Sequence, residues 1–361
     1  MRIVHINGHA DLNGVATTLK MLVDAQARRG DDILLLHRPS AWIANQSFAP
    51  SVTLVETSQR PRPADVSAAL KTVVGWKPHV IHAHGHKANR LAALFRLARG
   101  LPVVMTAHSR QPQLTWPMAH QVIAINDFTR NYYTARRLVA ANRIHTIPNL
   151  VDVSHLGRSA PGDKARVRAS AGLRPNSFVI GYVGSVDVRK QQTDLVRILK
   201  RLVAQGIDAE ALIVGRVAVG KYALPALQVE MADATLASRV HLTGEHPDAM
   251  AMMRAMDLLI CTSHNEEGPL APVEAMAQGI PALSTRVGNM AAVLPAEQLF
   301  AIGDVEAMAA MAARLARDEP LRQRLADEGY ATAHSIFHPE TVLPRIVAVY
   351  GQAIAAAKRW H

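Results

Sequence analysis

Short apolar runs alternate with helical patterns along the whole 361-residue chain. Each run is continuous rather than alternating, which indicates strands buried on both faces of a parallel sheet. The alternation of strand and helix predicts doubly wound α/β domains, and the length calls for two of them. Ligands of such sheets bind beyond the carboxyl ends of the strands. We therefore expect two Rossmann-like domains that face each other across a cleft, with the functional site in that cleft.

The apolar runs place the strands, and the stretches between them place the helices. The strands predicted in the first half are Arg2–Ile6, Asp32–Leu36, His79–His82, Pro102–Thr106, Gln121–Ile125 and Arg143–Ile147. Those predicted in the second half are Ser177–Val183, Ala211–Val214, Val240–Thr243, Leu258–Cys261 and Ile280–Ser284. Helices are expected at Gly14–Arg29, Ala88–Arg99 and Pro339–Trp360, with Pro344 as a kink. The predicted domains are 1–170 and 171–337, and a terminal helix in 338–361 is expected to pack back on the first domain.

Charge is distributed unevenly between the two halves. Residues 1–174 hold 23 basic and 9 acidic residues, whereas the remainder holds 17 and 20. A basic first half suits a polyanionic partner, such as nucleic acid, an anionic membrane or a phosphorylated acceptor, although a general solubility bias explains it too. The single cysteine, Cys261, excludes a disulfide framework, and the start MRIVHING lacks the apolar core of a signal peptide. We expect a cytoplasmic protein.

Two phosphate-binding motifs are matched incompletely. GRVAVGK, from Gly215 to Lys221, fits a phosphate loop up to its lysine, but Tyr222 follows where magnesium binding needs a hydroxyl of Ser or Thr. Gly8 and Gly14 follow the first strand without the GxGxxG spacing of a dinucleotide fingerprint. Gly14 still opens a helix where an anion is favoured, and a simple tight turn is the alternative.

The stretch TSHNEEGPLAPVEAMA carries two acids around a helix start. Pro269 suits the first turn of that helix, and Leu270 follows it. Glu266 falls in the loop and Glu274 inside the helix. Carboxylates bind vicinal hydroxyls, and the free N–H groups between them suit a phosphate, so a ligand with a sugar, a diphosphate and a ribose fits. Acids placed for the helix dipole would explain Glu266 but not Glu274 amid apolar neighbours.

This pair of acids resembles the signature of the retaining glycosyltransferases of family 4, which have the GT-B fold. Further segments resemble that family in the same order and span nearly the whole chain. They are Asn13-Gly14-Val15, HVIHAHGH, MTAHS, AINDFTR with IPNLVD, GYVGSVDVRK, LTGEHPDAMAMMRAMDLLICTS and GIPALSTRVGNM. Two positions depart from the pattern: Ser185 stands where the family often has Arg, and Asn289 stands where a second glycine is usual.

The resemblance implies a division of labour among the site residues. Arg189 and Lys190 would stabilise the departing diphosphate in place of a metal, Glu274 would hold the ribose and Glu266 the transferred sugar. His108 would contact that sugar, unless it only caps a strand end. The base pocket would be largely backbone, near Gly215-Arg216 and Glu245-His246. The donor is then a nucleoside diphosphate sugar, no cofactor is needed, and front-face transfer is expected because no carboxylate is placed as a nucleophile.

The acceptor implied by the resemblance is a glycan or glycolipid, as in the synthesis of lipopolysaccharide or other envelope polysaccharides. Arg90, Arg96 and Arg99 could rest on the anionic inner face of the plasma membrane, or form an ordinary solvated helix face. A GT-B epimerase or phosphorylase is the alternative enzyme. Nucleic acid is not expected as a partner, since aromatic residues make up only 4% of the chain.

A metal site is also not expected. His82, His84 and His86 alternate at a strand end and could share one face. No acid that could complete a coordination shell stands near them in the sequence. We interpret these histidines as polar residues of the cleft.

Overall fold

The structure, a computed structural model, describes residues 1–152, 157–158, 160, 162–217 and 223–358. The chain divides into two compact units, of which the first combines Met1–Asp152 with Phe337–His361 and the second is Val153–Ile336. Each contains one parallel sheet, so the expected pair of Rossmann-like α/β domains is confirmed. The predicted helix end at Trp360 lies outside the described residues.

The first unit has a parallel sheet of seven strands in the order β3-β2-β1-β4-β5-β6-β7. These strands are β1 (Arg2–Asn7), β2 (Asp32–His37), β3 (Val52–Glu56), β4 (Val80–His84), β5 (Val103–Ala107), β6 (Gln121–Ala124) and β7 (Ile144–Thr146). Its helices are α1 (Gly14–Arg28), α2 (Pro63–Trp76), α3 (His86–Arg99), α4 (Asp127–Ala135) and α12 (Pro339–Lys358). Helix α12 contains Pro344 and packs against α1 and strands β4, β5 and β6.

The second unit has a parallel sheet of six strands in the order β10-β9-β8-β11-β12-β13. These strands are β8 (Phe178–Val183), β9 (Ala209–Val214), β10 (Val240–Gly244), β11 (Leu258–Cys261), β12 (Ala282–Thr285) and β13 (Leu299–Phe300). Its helices are α5 (Asp163–Ser170), α6 (Gln192–Ala204), α7 (Ala223–Met231), α8 (Ala249–Met253), α9 (Leu270–Met276), α10 (Val305–Arg317) and α11 (Glu319–Phe337). Helix α11 reaches Phe337, at the border of the first unit.

The units divide at Asp152 and Val153, not at 170 and 171 as the sequence suggested. Helix α5 lies with the second unit, where two ion pairs with Asp257 hold it. Arg168 donates to Asp257 at 2.6 Å, and both side chains are buried. Lys164 pairs with the same carboxylate. The change in composition on which the predicted domain boundary rests therefore lies one helix later than the boundary in the structure.

The cores follow from the apolar runs. In the first unit the strands pack on α3, around the fully buried side chains of Phe95, Trp116 and Tyr133. In the second unit Leu195, Leu199 and other residues of α6 pack with α10 against the sheet. Among the helices of the described ranges, none is both long and apolar enough to cross a bilayer.

Candidate functional site

The two predicted acids lie where the sequence puts them, one in a loop and one in a helix. Residues 262–269, here called the carboxylate loop, connect the end of β11 to α9. Pro269 is the residue before the helix, with φ −63° and ψ 124°, and Leu270 is the first helical residue. The prediction that Pro269 lies within the first turn is wrong by one position.

Lys190 and Glu266 form an ion pair at the carboxyl end of the second sheet. Lys190 belongs to the loop that leaves β8, and β8 and β11 are neighbours, so their following loops meet. Both side chains are largely buried, with exposed fractions of 19% and 14%. A second link fixes the loops, because the Thr262 hydroxyl donates to the carbonyl oxygens of Lys190 and Gln191 at 3.0 and 2.8 Å.

Arg189 occupies a different environment from its neighbour. Its side chain is 54% exposed, and its Nε lies 3.5 Å from the Asp187 carboxylate. Its backbone carbonyl accepts a hydrogen bond from the His264 N–H at 2.8 Å. The Arg-Lys pair of the sequence thus splits into an exposed guanidinium and a buried ammonium.

Glu274 lies in α9 and is buried, with 7% of its surface exposed. Burial raises the pKa of its carboxyl to about 7, and the charge of Lys190 opposes that shift. No described residue hydrogen-bonds this carboxylate. A buried acid with unused acceptor oxygens is the kind of group that a ligand with hydroxyls can satisfy.

Two glycines allow backbone segments of the site to touch. Gly215 has φ +151°, and a Cβ there would lie 2.1 Å from the Gly184 carbonyl oxygen. Gly288 has φ +53°, and a Cβ there would lie 2.3 Å from the carbonyl oxygen of Glu267 in the carboxylate loop. Larger residues would force these loops apart. Gly288 therefore supports the loop that holds Glu266.

The expected base-pocket residues follow β9 and β10. The Gly215 N–H donates to the Gly244 carbonyl at 2.9 Å, which joins the two strand ends. Arg216 is exposed and His246 is partly exposed, and the His246 ring accepts from the Asp248 N–H at 3.1 Å. Residues 218–222, which complete the phosphate-loop-like match, lie outside the described residues.

The start of α1 differs from the expectation of an open anion site. Gly14 is the first helical residue, and the Asn13 side chain accepts hydrogen bonds from the N–H groups of Val15 and Ala16, both at 3.0 Å. Two N–H groups that an anion would use are therefore already satisfied by a side-chain cap.

Histidines gather at the carboxyl ends of β1, β4 and β5. His5, His82, His84 and His108, here called the histidine cluster, lie in contact, and the first three are buried. His86 is not part of the cluster, because it begins α3 and is exposed. His5, which the sequence analysis did not single out, is the third buried member instead. The sequence signal for His5, a single histidine within the apolar run of β1, was overlooked.

Burial keeps the histidine cluster neutral. It lowers the pKa of His5 to about 4 and that of His108 to about 3, and it lowers the pKa values of His82 and His84 well below the usual range. His108 itself directly follows β5 and is half-buried. Its Nε2 lies 3.3 Å from Nδ1 of His84.

The helix that carries Arg90, Arg96 and Arg99 gives these residues unequal roles. Arg96 is half-buried and donates to the Met118 carbonyl at 2.7 Å, so it supports the fold. Arg90 and Arg99 are exposed, but they are nine positions apart in the helix, which puts them on opposite sides of α3. The three arginines do not form one basic face.

Two family models cover most of the chain. "Glycosyltransferase Family 4" matches residues 12–155, and "Glycosyl transferases group 1" matches residues 163–332. The chain is 26% identical over 363 residues to the lipopolysaccharide core biosynthesis mannosyltransferase LpsB of Rhizobium meliloti, with 97% of each chain covered. It is 26% identical to D-inositol 3-phosphate glycosyltransferase of Rhodococcus jostii, over 78% of this chain and 72% of the relative.

Solved structures show the same fold. The crystal structure of Anabaena HepE in complex with UDP-glucose superposes with a TM-score of 0.81 at 19% identity, covering 97% of this chain and 99% of that one. Sucrose-phosphate synthase from Thermosynechococcus elongatus superposes with a TM-score of 0.80 at 20% identity, covering 98% and 99%.

Proposed function

Because the chain belongs to the glycosyltransferases that these two family models describe, we propose that it is a retaining, metal-independent hexosyltransferase. The donor is a nucleoside diphosphate sugar, and the acceptor is a glycan or glycolipid of the cell envelope. One observation carries the proposal: the buried Lys190–Glu266 pair lies beside Glu274, whose carboxylate no described residue satisfies.

Lys190 and Arg189 stabilise the leaving diphosphate. When the bond from the anomeric carbon to the β-phosphate oxygen breaks, its electron pair stays on the phosphate. The ammonium of Lys190, largely removed from water, interacts strongly with that charge. The diphosphate competes with Glu266 for the lysine, so Glu266 becomes free to accept hydrogen bonds from the sugar. Arg189 is exposed enough to close over the phosphates.

Glu274 binds the ribose hydroxyls as a carboxylate. With its pKa raised to about 7, about half of the free protein holds it protonated near neutral pH. Donor binding favours the ionised form, since two hydroxyls can donate to it. Affinity for the nucleoside diphosphate should therefore increase as the pH rises through 7.

Transfer takes place on one face of the sugar, because none of the proposed site residues acts as a covalent nucleophile. The acceptor oxygen bonds to the anomeric carbon on the face that the phosphate leaves, and its proton passes to the departing phosphate oxygen. The configuration at the anomeric carbon is retained. His108 contacts the transferred sugar in this scheme.

The acceptor side is proposed from charge. By structural unit, the first holds 21 basic and 9 acidic residues and the second 19 and 20. The surplus in the first unit includes the exposed Arg136 and Arg137 beside α4. A phosphorylated glycolipid or the anionic inner face of the plasma membrane suits that surplus. The named relative that acts in lipopolysaccharide core synthesis supports this class of acceptor.

A panel of UDP-, GDP-, ADP- and CMP-sugars tests the proposal. One class of donor should raise the melting temperature, because a ligand that binds only the folded state stabilises it. Turnover of that donor should survive excess EDTA, and the product should keep the anomeric configuration of the donor by NMR. Activity that EDTA abolishes and Mg²⁺ restores would contradict metal independence; an inverted product would contradict retention.

A further inference from the structure

A continuous chain of hydrogen bonds runs through the histidine cluster and includes Tyr350, on a helix from the far end of the sequence. Six hydrogen bonds connect seven side chains, in the order His108, His84, His5, Gln26, Tyr350, His82 and Thr106. Their lengths, in that order, are 3.3, 3.1, 2.7, 3.0, 2.8 and 2.7 Å. Apart from the half-buried His108, all of these side chains are buried.

The orientation assigned to the Gln26 amide determines where each proton lies. Its oxygen faces Nε2 of His5, which must therefore carry the proton. A neutral imidazole has one donor and one acceptor, so Nδ1 of His5 accepts from Nε2 of His84. By the same rule, Nδ1 of His84 accepts from Nε2 of His108.

In the other arm, the Tyr350 hydroxyl has two hydrogen-bond partners among the described residues, the Gln26 amide nitrogen and Nδ1 of His82, and only Nδ1 can accept its proton. The Gln26 N–H donates to the Tyr350 hydroxyl, which then donates to Nδ1 of His82. Nε2 of His82 in turn donates to the Thr106 hydroxyl. Every bond thus points away from His108, and all four histidines carry their proton on Nε2.

We propose that the part of this chain from Gln26 through His5 and His84 fixes His108 in the tautomer protonated at Nε2 and makes its Nδ1 a hydrogen-bond acceptor for a substrate hydroxyl. No described residue hydrogen-bonds Nδ1 of His108. The inference rests on the proposed function, in which His108 contacts the transferred sugar. His84, His5 and Gln26 are positioning residues, because they act on the substrate only through His108.

A metal ion would need a different arrangement. Ring nitrogens of His5, His82 and His84 lie within 4.8 Å of one another. Both ring nitrogens of each already take part in the chain, however, and a metal would require the protons between them to leave. The opposite orientation of the Gln26 amide would reverse every bond and turn Nδ1 of His108 into a donor. A bound metal ion and a reversed Gln26 amide would therefore each place the histidine protons differently from the proposed arrangement.

Nitrogen NMR of the full chain labelled with ¹⁵N-histidine tests the proton positions directly. We expect the Nε2–H pattern for all four histidines near neutral pH, with the His108 signal assigned from its loss in His108→Gln. A proton on Nδ1 of His108, or a mixture of tautomers, would overturn the proposal. So would displacement of these signals by one equivalent of Zn²⁺. This readout does not depend on activity, so absence of sugar transfer would refute the proposed function and leave the tautomer result standing.

Two variants separate positioning from packing. Gln26→Met removes the amide that sets the direction of the hydrogen bonds. Thr106→Val removes only the last hydrogen bond of the other arm, beyond Tyr350 and His82. Gln26→Met should give mixed tautomers at His108 and lower kcat roughly 2- to 10-fold with little change in the donor KM, the equivalent of one hydrogen bond. Thr106→Val should leave the His108 tautomer and kcat unchanged. Equal losses in both variants, or an unchanged His108 signal in Gln26→Met, would contradict the proposal.

Discussion

The carboxylate loop of the second unit and the histidine cluster of the first both lie at the carboxyl ends of parallel strands. The first centre contains charged side chains, whereas the second contains neutral ones. Lys190, Glu266 and Glu274 bring charged or chargeable groups together in a largely buried place. The four histidines are kept neutral, and their ring nitrogens hydrogen-bond to one another or to the neutral side chains of Gln26, Tyr350 and Thr106. The carboxyl ends of the strands in a Rossmann-like sheet can thus hold either a cluster of charged groups or a neutral hydrogen-bonded network.

The difference follows from what each centre can use as a partner. Lys190 and Glu266 compensate each other's charge until a ligand takes the place of one of them. The histidine cluster has no carboxylate among its hydrogen-bond partners in the described residues, so a proton added there would stay uncompensated. Charge is therefore expected to control the chemistry of the second unit, and geometry that of the first.

Removing the lysine should have the largest effect. Lys190→Met should lower kcat/KM about 10²- to 10³-fold, because it removes a buried positive group from the leaving phosphate and leaves Glu266 uncompensated. Steady-state release of the nucleoside diphosphate measures it. Lys200→Met is the matched control, since Lys200 pairs with Asp233 on the surface of the same unit. Comparable losses in both variants would refute a special role for Lys190.

The two acids should separate binding from transfer. Glu274→Ala should weaken binding of the bare nucleoside diphosphate about 10- to 100-fold, because its proposed partner is the ribose. Glu266→Ala should leave that affinity unchanged or raise it, since Glu266 competes with the diphosphate for Lys190, and should lower transfer, because its proposed partner is the sugar. Titration calorimetry with the diphosphate and kinetics with the donor give the two numbers. The reverse order of affinities would overturn the assignment.

The two centres should respond to pH with opposite sign. The pKa of His5 is lowered from 6.5 to about 4, so the unfolded chain binds a proton first and stability is lost as the pH falls below 6.5. The pKa of Glu274 is raised from 4.5 to about 7, so stability is lost as the pH rises through that range. Each contributes about 1.4 kcal/mol per pH unit within its window.

Denaturant unfolding of His5→Gln and Glu274→Gln, each compared with the unchanged protein at several pH values, measures these contributions. The stability difference for His5→Gln should change only on the acid side of 6.5, and that for Glu274→Gln only above 4.5. A difference that stays constant across pH would show that the group does not titrate as inferred.

The smallest effect for a single residue is expected at the surface. Replacing Arg136 and Arg137 by Gln should weaken binding to anionic vesicles by about 1 kcal/mol for each residue and leave donor affinity intact. Flotation at low and physiological salt measures it, and binding should fall steeply with salt because exposed charges are screened. If the unchanged protein does not bind anionic vesicles at low salt, a soluble acceptor is favoured over the membrane.

The sequence predicted most strands because most are continuous apolar runs. It omitted β3, an edge strand whose residues are half-buried or exposed, and β13, which is only two residues long. It also ended the fourth strand at His82, whereas β4 continues through His84. Edge strands and strand ends carry polar residues, so the apolar pattern weakens there.

For the site, the sequence identified single residues better than their partners. The acids and the Arg-Lys pair have local signatures, but the contact of Lys190 with Glu266 depends on β8 lying next to β11. The hydrogen bond between Gln26 and Tyr350 spans 324 positions and has no local pattern. Contacts set by sheet order and by a returning helix are not encoded in spacing along the chain.

The return of α12 to the first unit has a consequence for synthesis on the ribosome. Tyr350 completes the hydrogen-bonded network of a unit whose other strands and helices end by Asp152. At 5–20 residues per second, roughly 200 residues separate the two events, a delay of about 10–40 s. During that interval the nascent first unit holds buried histidines without their final partner. We expect it to be the part of the newborn chain most dependent on chaperones, whereas the second unit emerges whole.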